Sequence, residues 1–277
     1  MRFVEPDPSL PEVPLAGGDV TDGLVRVGET VRRPVGPHSP LVVDVLAHLE
    51  RVGFDGAPRF RGIDAAGRQV LSYVPGEVAS RPRPEWIADE NRVASVARLL
   101  RRYDDAVETL GIPASAEGAL GADPPGTPAR VAGPPTLVGH LDVTPDNVVF
   151  VDGEARALID FDMVRPAART EEVQNLLLWW APLVPRPDRP EVLVDVDPFA
   201  RATLLVDAYG LAASDRARLI DVAENTAARA WFLMRDRAER LGGGWARMWD
   251  DGVGDAIRRR QSWLAQHRTA LVRAVGG

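Results

Sequence analysis

Cysteine is absent from this 277-residue chain, so no disulfide and no thiolate metal site can form. Lysine is absent too; all 33 basic residues are arginine. Abundant Ala, Gly, Pro, Val and Asp accompany that absence, a composition expected of a GC-rich genome. No apolar run is long enough to span a membrane, and the opening Met1-Arg2-Phe3-Val4-Glu5-Pro6-Asp7-Pro8 carries no apolar signal stretch. The expectation is a cytoplasmic protein with no membrane partner. A formal net charge of −7 argues against a nucleic-acid partner. There is no internal repeat, and no G-x-G-x-x-G loop; Gly17-Gly18 reads as a tight loop that is only a weak phosphate-binding signal.

Against those absences one stretch stands out. Leu137-Val138-Gly139-His140-Leu141-Asp142-Val143-Thr144-Pro145-Asp146-Asn147-Val148-Val149-Phe150 is followed by Leu158-Ile159-Asp160-Phe161-Asp162. Three polar side chains thus sit at fixed offsets in otherwise apolar, strand-like sequence: Asp142, Asn147 and Asp160. Val148-Val149-Phe150 reads as a strand, Asp152-Gly153 as a hairpin turn, and Ala157-Leu158-Ile159 as the return strand. The hairpin brings Asn147 and Asp160 to one end. Either piece alone reads as a turn or a strand end. Together, and in this order, they have the layout of a phosphoryl-transfer catalytic loop and its metal-binding strand.

The residue types suit that chemistry. Hard oxygen ligands favour Mg²⁺, which takes few protein ligands beside phosphate oxygens and waters. Asn147 supplies a neutral oxygen and Asp160 an anionic one. Asp142 lies early in the loop, where it can orient an alcohol and accept its proton.

The segment resembles the aminoglycoside phosphotransferase and choline kinase group, small-molecule kinases that share the protein-kinase fold. Gly17-Gly18-Asp19, Leu24-Val25-Arg26-Val27-Gly28, Thr30-Val31-Arg32-Arg33-Pro34, Gly56-Ala57-Pro58-Arg59-Phe60 and Leu71-Ser72-Tyr73-Val74-Pro75-Gly76-Glu77 resemble the small lobe of such a kinase. The nearest subgroup is the loosely defined phosphotransferase enzyme family, so no substrate is inherited. The resemblance implies an α+β, bilobal protein-kinase-like fold. Residues 1–76 would be a nucleotide-binding lobe with a small antiparallel sheet and one helix. Residues 77–277 would be a mainly helical catalytic and substrate-binding lobe.

The lysine-free composition has a consequence here, because the usual phosphate-contacting lysine of a kinase small lobe cannot be present. Leu24–Val27 and Thr30–Arg33 read as a hairpin around Gly28-Glu29. On its second strand Val31 and Arg33 share one face, Thr30 and Arg32 the other. An adenine pocket needs an apolar neighbour, so Arg33 is the candidate for the lysine's role and Arg32 the alternative. Arginine is longer and forked, and not interchangeable with lysine. Asp44 matches the place of the acid that would hold it, ahead of Glu50. Leu71, Ser72, Tyr73 and Val74 fall at the implied hinge, where adenine bonds to backbone.

Ser39-Pro40 reads as a helix start with Ser as N-cap, Leu41, Val42, Val45, Leu46 and Leu49 as its apolar face, and Gly53 as its stop. A long helix is expected over 87–110, an irregular connector over 111–136, and helices near 170–183, 198–209, 214–240 and 253–273. His140 is implied to be structural; His38 and His48 read as surface or packing residues and not as ligands. The change from the usual Gly to Leu141 is expected to cost little. Asp162 is either a second metal ligand or a structural partner. Glu171-Glu172 reads as helix capping where relatives carry a loop-bracing Asp. Of Trp179-Trp180, one packs inward. Trp245, Trp249, Asp250 and Asp251 form an aromatic-acidic cluster, either a sugar or cation site or a surface loop.

The reading is a kinase moving the γ-phosphoryl of ATP (or GTP), with Mg²⁺, to a hydroxyl of an aminoglycoside-like compound or another hydroxylated metabolite or antibiotic, acting as monomer or homodimer. Its rival is a nucleotide-binding pseudokinase that regulates a partner, favoured by the missing lysine and opposed by the intact Asp142, Asn147 and Asp160. A protein kinase is disfavoured, since no Ala-Pro-Glu follows Asp160.

Overall fold

The computed structural model describes residues 3–4, 10–15 and 23–276. Gly17-Gly18-Asp19 therefore lies outside the described residues. The first part of the chain builds an antiparallel five-stranded sheet: β1 (Val13–Pro14), β2 (Val25–Val27), β3 (Thr30–Arg33), β4 (Phe60–Ile63) and β5 (Gln69–Ser72), in the order β1-β2-β3-β5-β4. The expected β2–β3 hairpin pairs Val27 with Thr30 and Val25 with Arg32. β3 then pairs with β5, setting Val31 opposite Leu71 and Arg33 opposite Gln69.

One helix, α1 (Ser39–Arg51), packs beside this sheet. Its buried residues Leu41, Val42, Val45, Leu46 and Leu49 repeat at helical spacing. Its N-cap is His38, not Ser39; the Ser39 hydroxyl instead accepts from Gly36 N at 2.9 Å, tightening the turn before the helix. Gly53 (φ +75°) closes it in the left-handed conformation glycine tolerates. His48 is buried and bonds Ala106 O at 3.0 Å and Thr109 Oγ1 at 2.9 Å, which ties α1 to the next helix.

That helix, α2 (Glu90–Glu108), is shorter than periodicity suggests. Asp89 interrupts it with extended backbone and accepts from Arg92 N at 2.9 Å, leaving Glu85–Ala88 as a separate 3₁₀ turn. After the irregular connector come β6 (Leu137–Gly139), the hairpin β7 (Val148–Val151) and β8 (Glu154–Leu158), β9 (Arg165–Ala167), and the helices α3 (Arg169–Trp180), α4 (Pro198–Tyr209), α5 (Ala213–Leu241), α6 (Gly243–Asp250) and α7 (Val253–Gly276). Asp152 and Gly153 both have positive φ, the turn that an Asp-Gly hairpin needs.

Two features were not legible in the sequence. β6 and β9 pair with each other across the hairpin, with Gly139 opposite Arg165. Trp245 and Trp249 stand on a helix, α6, and not in a surface loop. The core is continuous from Leu46 and Leu49 through Tyr103, Phe150 and Phe161 to Trp180 and Tyr209. The architecture is α+β and bilobal, as expected: a sheet with one helix, then a mainly helical body. Among the described residues no helix is long and apolar enough to cross a membrane.

Candidate active site

The loop between β6 and β7 is held from three sides. From α3, Glu172 Oε1 accepts from Leu141 N at 3.0 Å, Asn175 Oδ1 accepts from Val143 N at 2.8 Å, and the Trp180 indole donates to Val143 O at 2.7 Å. From the far strand, His140 Nε2 lies 3.1 Å from Ile159 O and Ile159 N donates to Asn147 O at 2.9 Å. From the inter-lobe segment, Arg83 pairs with Asp146 at 2.7 Å. The two halves of the motif are thereby cross-linked two residues before Asp142 and one residue before Asp160.

A carbonyl can only accept, so the His140 bond requires the proton on Nε2. Burial pushes the His140 pKa down to about 4, which keeps the ring neutral. Its role is structural, packed against Phe161 at 4.7 Å between ring centroids. Leu141 has φ +57°, so glycine would sit there without strain, whereas a leucine bears roughly 1–2 kcal/mol. The departure from the usual Gly is therefore not free; the Glu172 bond to the Leu141 amide holds the strained residue in place.

Asn147 Nδ2 donates to Asp142 Oδ2 at 2.8 Å and to Asp142 O at 3.0 Å. Its carbonyl oxygen is the end left for a cation. Burial first, and the neighbouring charge of Asp160 second, push the Asp142 pKa up to about 7. Asp160 takes a left-handed turn (φ +60°) two residues past the end of β8. Its pKa is raised by burial and then by Asp162, and lowered by Arg33.

Arg33 reaches this cluster from the sheet. It is 4% exposed, its Nη1 lies 3.4 Å from Asp160 Oδ1, and its Nη2 pairs closely with Asp162. Arg32, on the opposite face as alternation requires, lies 3.6 Å from Asp64. Asp44 does not hold Arg33: it is exposed on α1 and accepts from Ser115 Oγ. The helical period explains why. With 41, 42, 45, 46 and 49 facing inward, position 44 points outward. Asp162, left open by the sequence between metal ligand and structural partner, pairs with Arg33.

Leu71 and Ser72 end β5, and Tyr73 and Val74 follow it. Leu71 is buried in the core, and Ser72 Oγ accepts from Arg59 N at 2.8 Å. The Arg26 guanidinium covers the Tyr73 ring at 3.7 Å from its centroid. Glu171 does cap α3, accepting from Ala168 N at 3.0 Å, while Glu172 braces the loop. Trp180 is the inward tryptophan (1% exposed) and Trp179 is half-buried. Sequence reasoning missed Asn175; its signal was a polar residue three positions after Glu172, on the same face of α3.

Among the described residues no three His, Asp or Glu side chains converge as a metal cage. Two oxygen donors, Asn147 and Asp160, fit a cation that takes its remaining ligands from phosphates and water. The mutual repulsion of Asp160 and Asp162 also favours a positive partner, and Arg33 provides one.

Comparison with known proteins bears on the family and the fold. The sequence model of the "Phosphotransferase enzyme family" matches residues 42–196, more than half of the chain. The trifolitoxin immunity protein of Rhizobium leguminosarum bv. trifolii is 29% identical over 280 residues, covering 95% of this chain and 98% of that one. Among solved structures, an ethanolamine kinase of Plasmodium vivax superposes with a TM-score of 0.60 at 12% identity, covering 95% of this chain and 83% of that one. A choline/ethanolamine kinase family protein of Mesorhizobium loti gives 0.54 at 16% identity, with 96% and 92% covered. A macrolide 2′-phosphotransferase of Brachybacterium faecium gives 0.51 at 16% identity, with 96% and 91% covered. At these identities the solved structures establish the kinase-like fold, and the sequence match establishes the family: the chain belongs to the phosphotransferase enzyme family.

Proposed function

We propose that the chain is a small-molecule kinase that moves the γ-phosphoryl of ATP (or GTP), with Mg²⁺, to a hydroxyl of an aminoglycoside-like compound or another hydroxylated metabolite or antibiotic. The observation that carries this reading is the convergence of Asp142, Asn147 and Asp160 at one point, with a buried Arg33 from the sheet beside them.

In this reading Asp142 receives the acceptor hydroxyl. Its Oδ2 is held by Asn147, so Oδ1 accepts the hydroxyl's hydrogen bond and takes the proton as the new P–O bond forms and the bond from the γ-phosphorus to the departing nucleoside diphosphate breaks. The rise of its pKa toward neutrality suits a group that must both orient and receive a proton. Asn147 and Asp160 would hold Mg²⁺, which neutralises the charge of the phosphates. Arg33 would turn from Asp160 and Asp162 to phosphate oxygens, the role a lysine usually fills. Residues 1–76 serve as the nucleotide lobe, with the backbone of Leu71, Ser72, Tyr73 and Val74 offered to the base. Residues 77–277 carry the catalytic loop and the acceptor cleft.

The test is mass spectrometry of transfer from Mg·ATP to a panel of aminoglycosides, nucleoside antibiotics, amino alcohols and sugars, with Asp142→Ala as control. Product from the wild type alone is expected; equal product from Asp142→Ala would sink the assignment. A second reading, a nucleotide-binding pseudokinase, draws on the Arg33 contacts to Asp160 and Asp162, which compete with a cation. Nucleotide binding without turnover on any acceptor would favour it.

A further inference from the structure

Arg237, near the end of α5, has an unusual setting. Among the described residues no carboxylate lies in ion-pair range of it, and the acids beside it are engaged elsewhere. Asp236 holds Arg240 at 2.9 Å, and Glu239 holds Arg235 at 2.8 Å. The Arg237 guanidinium instead lies over Trp245 of α6, with its carbon 4.6 Å from the ring centroid. Stacking fixes the plane of the fork and leaves its edge free to bond. Burial, and then repulsion from Arg165, press its pKa downward. Arg237 is thus a partly desolvated cation that faces a second cation.

Arg165 places this pair beside the catalytic loop. It lies opposite Gly139 in the β6–β9 ladder, and Gly139 leads through His140 and Leu141 to Asp142. Arg165 lies 3.2 Å from Glu171, but that carboxylate also accepts from Arg130 at 2.6 Å and from Ala168 N. The next acid, Glu172, is buried and pushed well above the usual carboxylate range by burial and by Asp104. Arg130 and Arg165 therefore share the Glu171 carboxylate, and Arg237 adds a third guanidinium to which that carboxylate does not reach.

We infer that the phosphoryl acceptor carries a carboxylate, which Arg237 and Arg165 bind while Trp245 holds the Arg237 fork in plane and Asp142 receives the acceptor's hydroxyl. This rests on the phosphotransferase reading for the role of the hydroxyl, and narrows it. A planar oxyanion matches a stacked guanidinium fork, and a second arginine adds charge-assisted bonds. A polycationic acceptor would meet like charge at the same place, so aminoglycosides are the wrong class.

The test uses pairs that differ only in the carboxylate: N-acetylserine and its amide, gluconate and gluconamide, and serine peptides with free or amidated C termini. Binding is measured by calorimetry with Mg·AMP-PNP present. The acid of at least one pair should bind about tenfold or more tightly than its amide. The gap should collapse in Arg237→Gln, while Trp245→Leu should narrow it. Equal affinities within every pair, no binding of any acid, or a gap that survives in Arg237→Gln would each overturn the inference. Transfer from Mg·ATP to the same panel, extended to amino alcohols and aminoglycosides, separates the two readings. Phosphorylation without carboxylate preference overturns this inference and leaves the kinase standing. Carboxylate-selective binding with no transfer overturns the kinase reading and leaves the anion site standing.

Discussion

Gly139 has no room for a methyl group. A Cβ there would meet Glu172 Oε1 at 2.1 Å, and that oxygen is the one bonded to the Leu141 amide. Gly139→Ala should therefore cost about 3 kcal/mol or more in stability and lower kcat with it, because the brace is displaced; chemical denaturation and turnover measured together check this. Asp142 supplies a second prediction. Its carboxyl protonates near pH 7 in the folded chain against 3.8 for the free group, so the folded state binds more protons across that window. Stability contributed by this group is present at low pH and is lost as pH rises through the window. Asp142→Asn should abolish transfer yet melt higher than wild type at pH 8, by the equivalent of about 2 kcal/mol, with no gain left near pH 4. An unchanged difference across pH would show that the group titrates normally.

At the scale of elements, strand alternation and helical periodicity carry different amounts of information. Alternation on β3 assigned Arg33 and Arg32 to opposite faces, and they stand there, Arg33 at Asp160 and Arg32 at Asp64. The β7–β8 hairpin was equally readable, because Asp152-Gly153 demands positive φ. Asp44 failed because the match came from resemblance, while the helix's own apolar period already turned position 44 outward. Arg33→Ala should raise the KM for ATP about tenfold, and Arg33→Lys should recover part of it; steady-state kinetics with varied Mg·ATP decides. On α3, Trp180→Phe keeps the packing and removes only the indole bond to Val143 O. It should cost about 1 kcal/mol and lower kcat more than it raises KM.

At the scale of the molecule, what remained hidden in the sequence is long-range. The β6–β9 pairing joins residues nearly thirty apart, and three-residue strands leave no period to read. The α6 helix, opening on Gly242, Gly243 and Gly244, looks locally like a loop; the contact of Trp231 with Trp249, 5.7 Å between centroids, helps fix it to α5. The proposed nucleotide site spans both parts of the chain, with Arg33 from the sheet and Asp142, Asn147 and Asp160 from the helical body. A ligand bound there stabilises only the closed-up, folded arrangement. At a hundredfold excess over its Kd, Mg·ATP should raise the melting temperature by about 5–10 °C. Chelating the metal should remove most of that shift, and Asp160→Ala should remove it with metal present. A shift that persists in chelator would place the nucleotide elsewhere.

The proposed role of Arg33, a guanidinium where an amine is usual, also bears on what can be done to this protein with reagents. Acylating nucleotide probes mark kinases by transferring an acyl group to a side-chain amine beside the phosphates, and a protonated guanidinium is no nucleophile. With no lysine anywhere in the sequence, such a probe finds no side-chain amine to label. The enzyme would pass unseen through a survey built on that chemistry, however tightly it binds ATP.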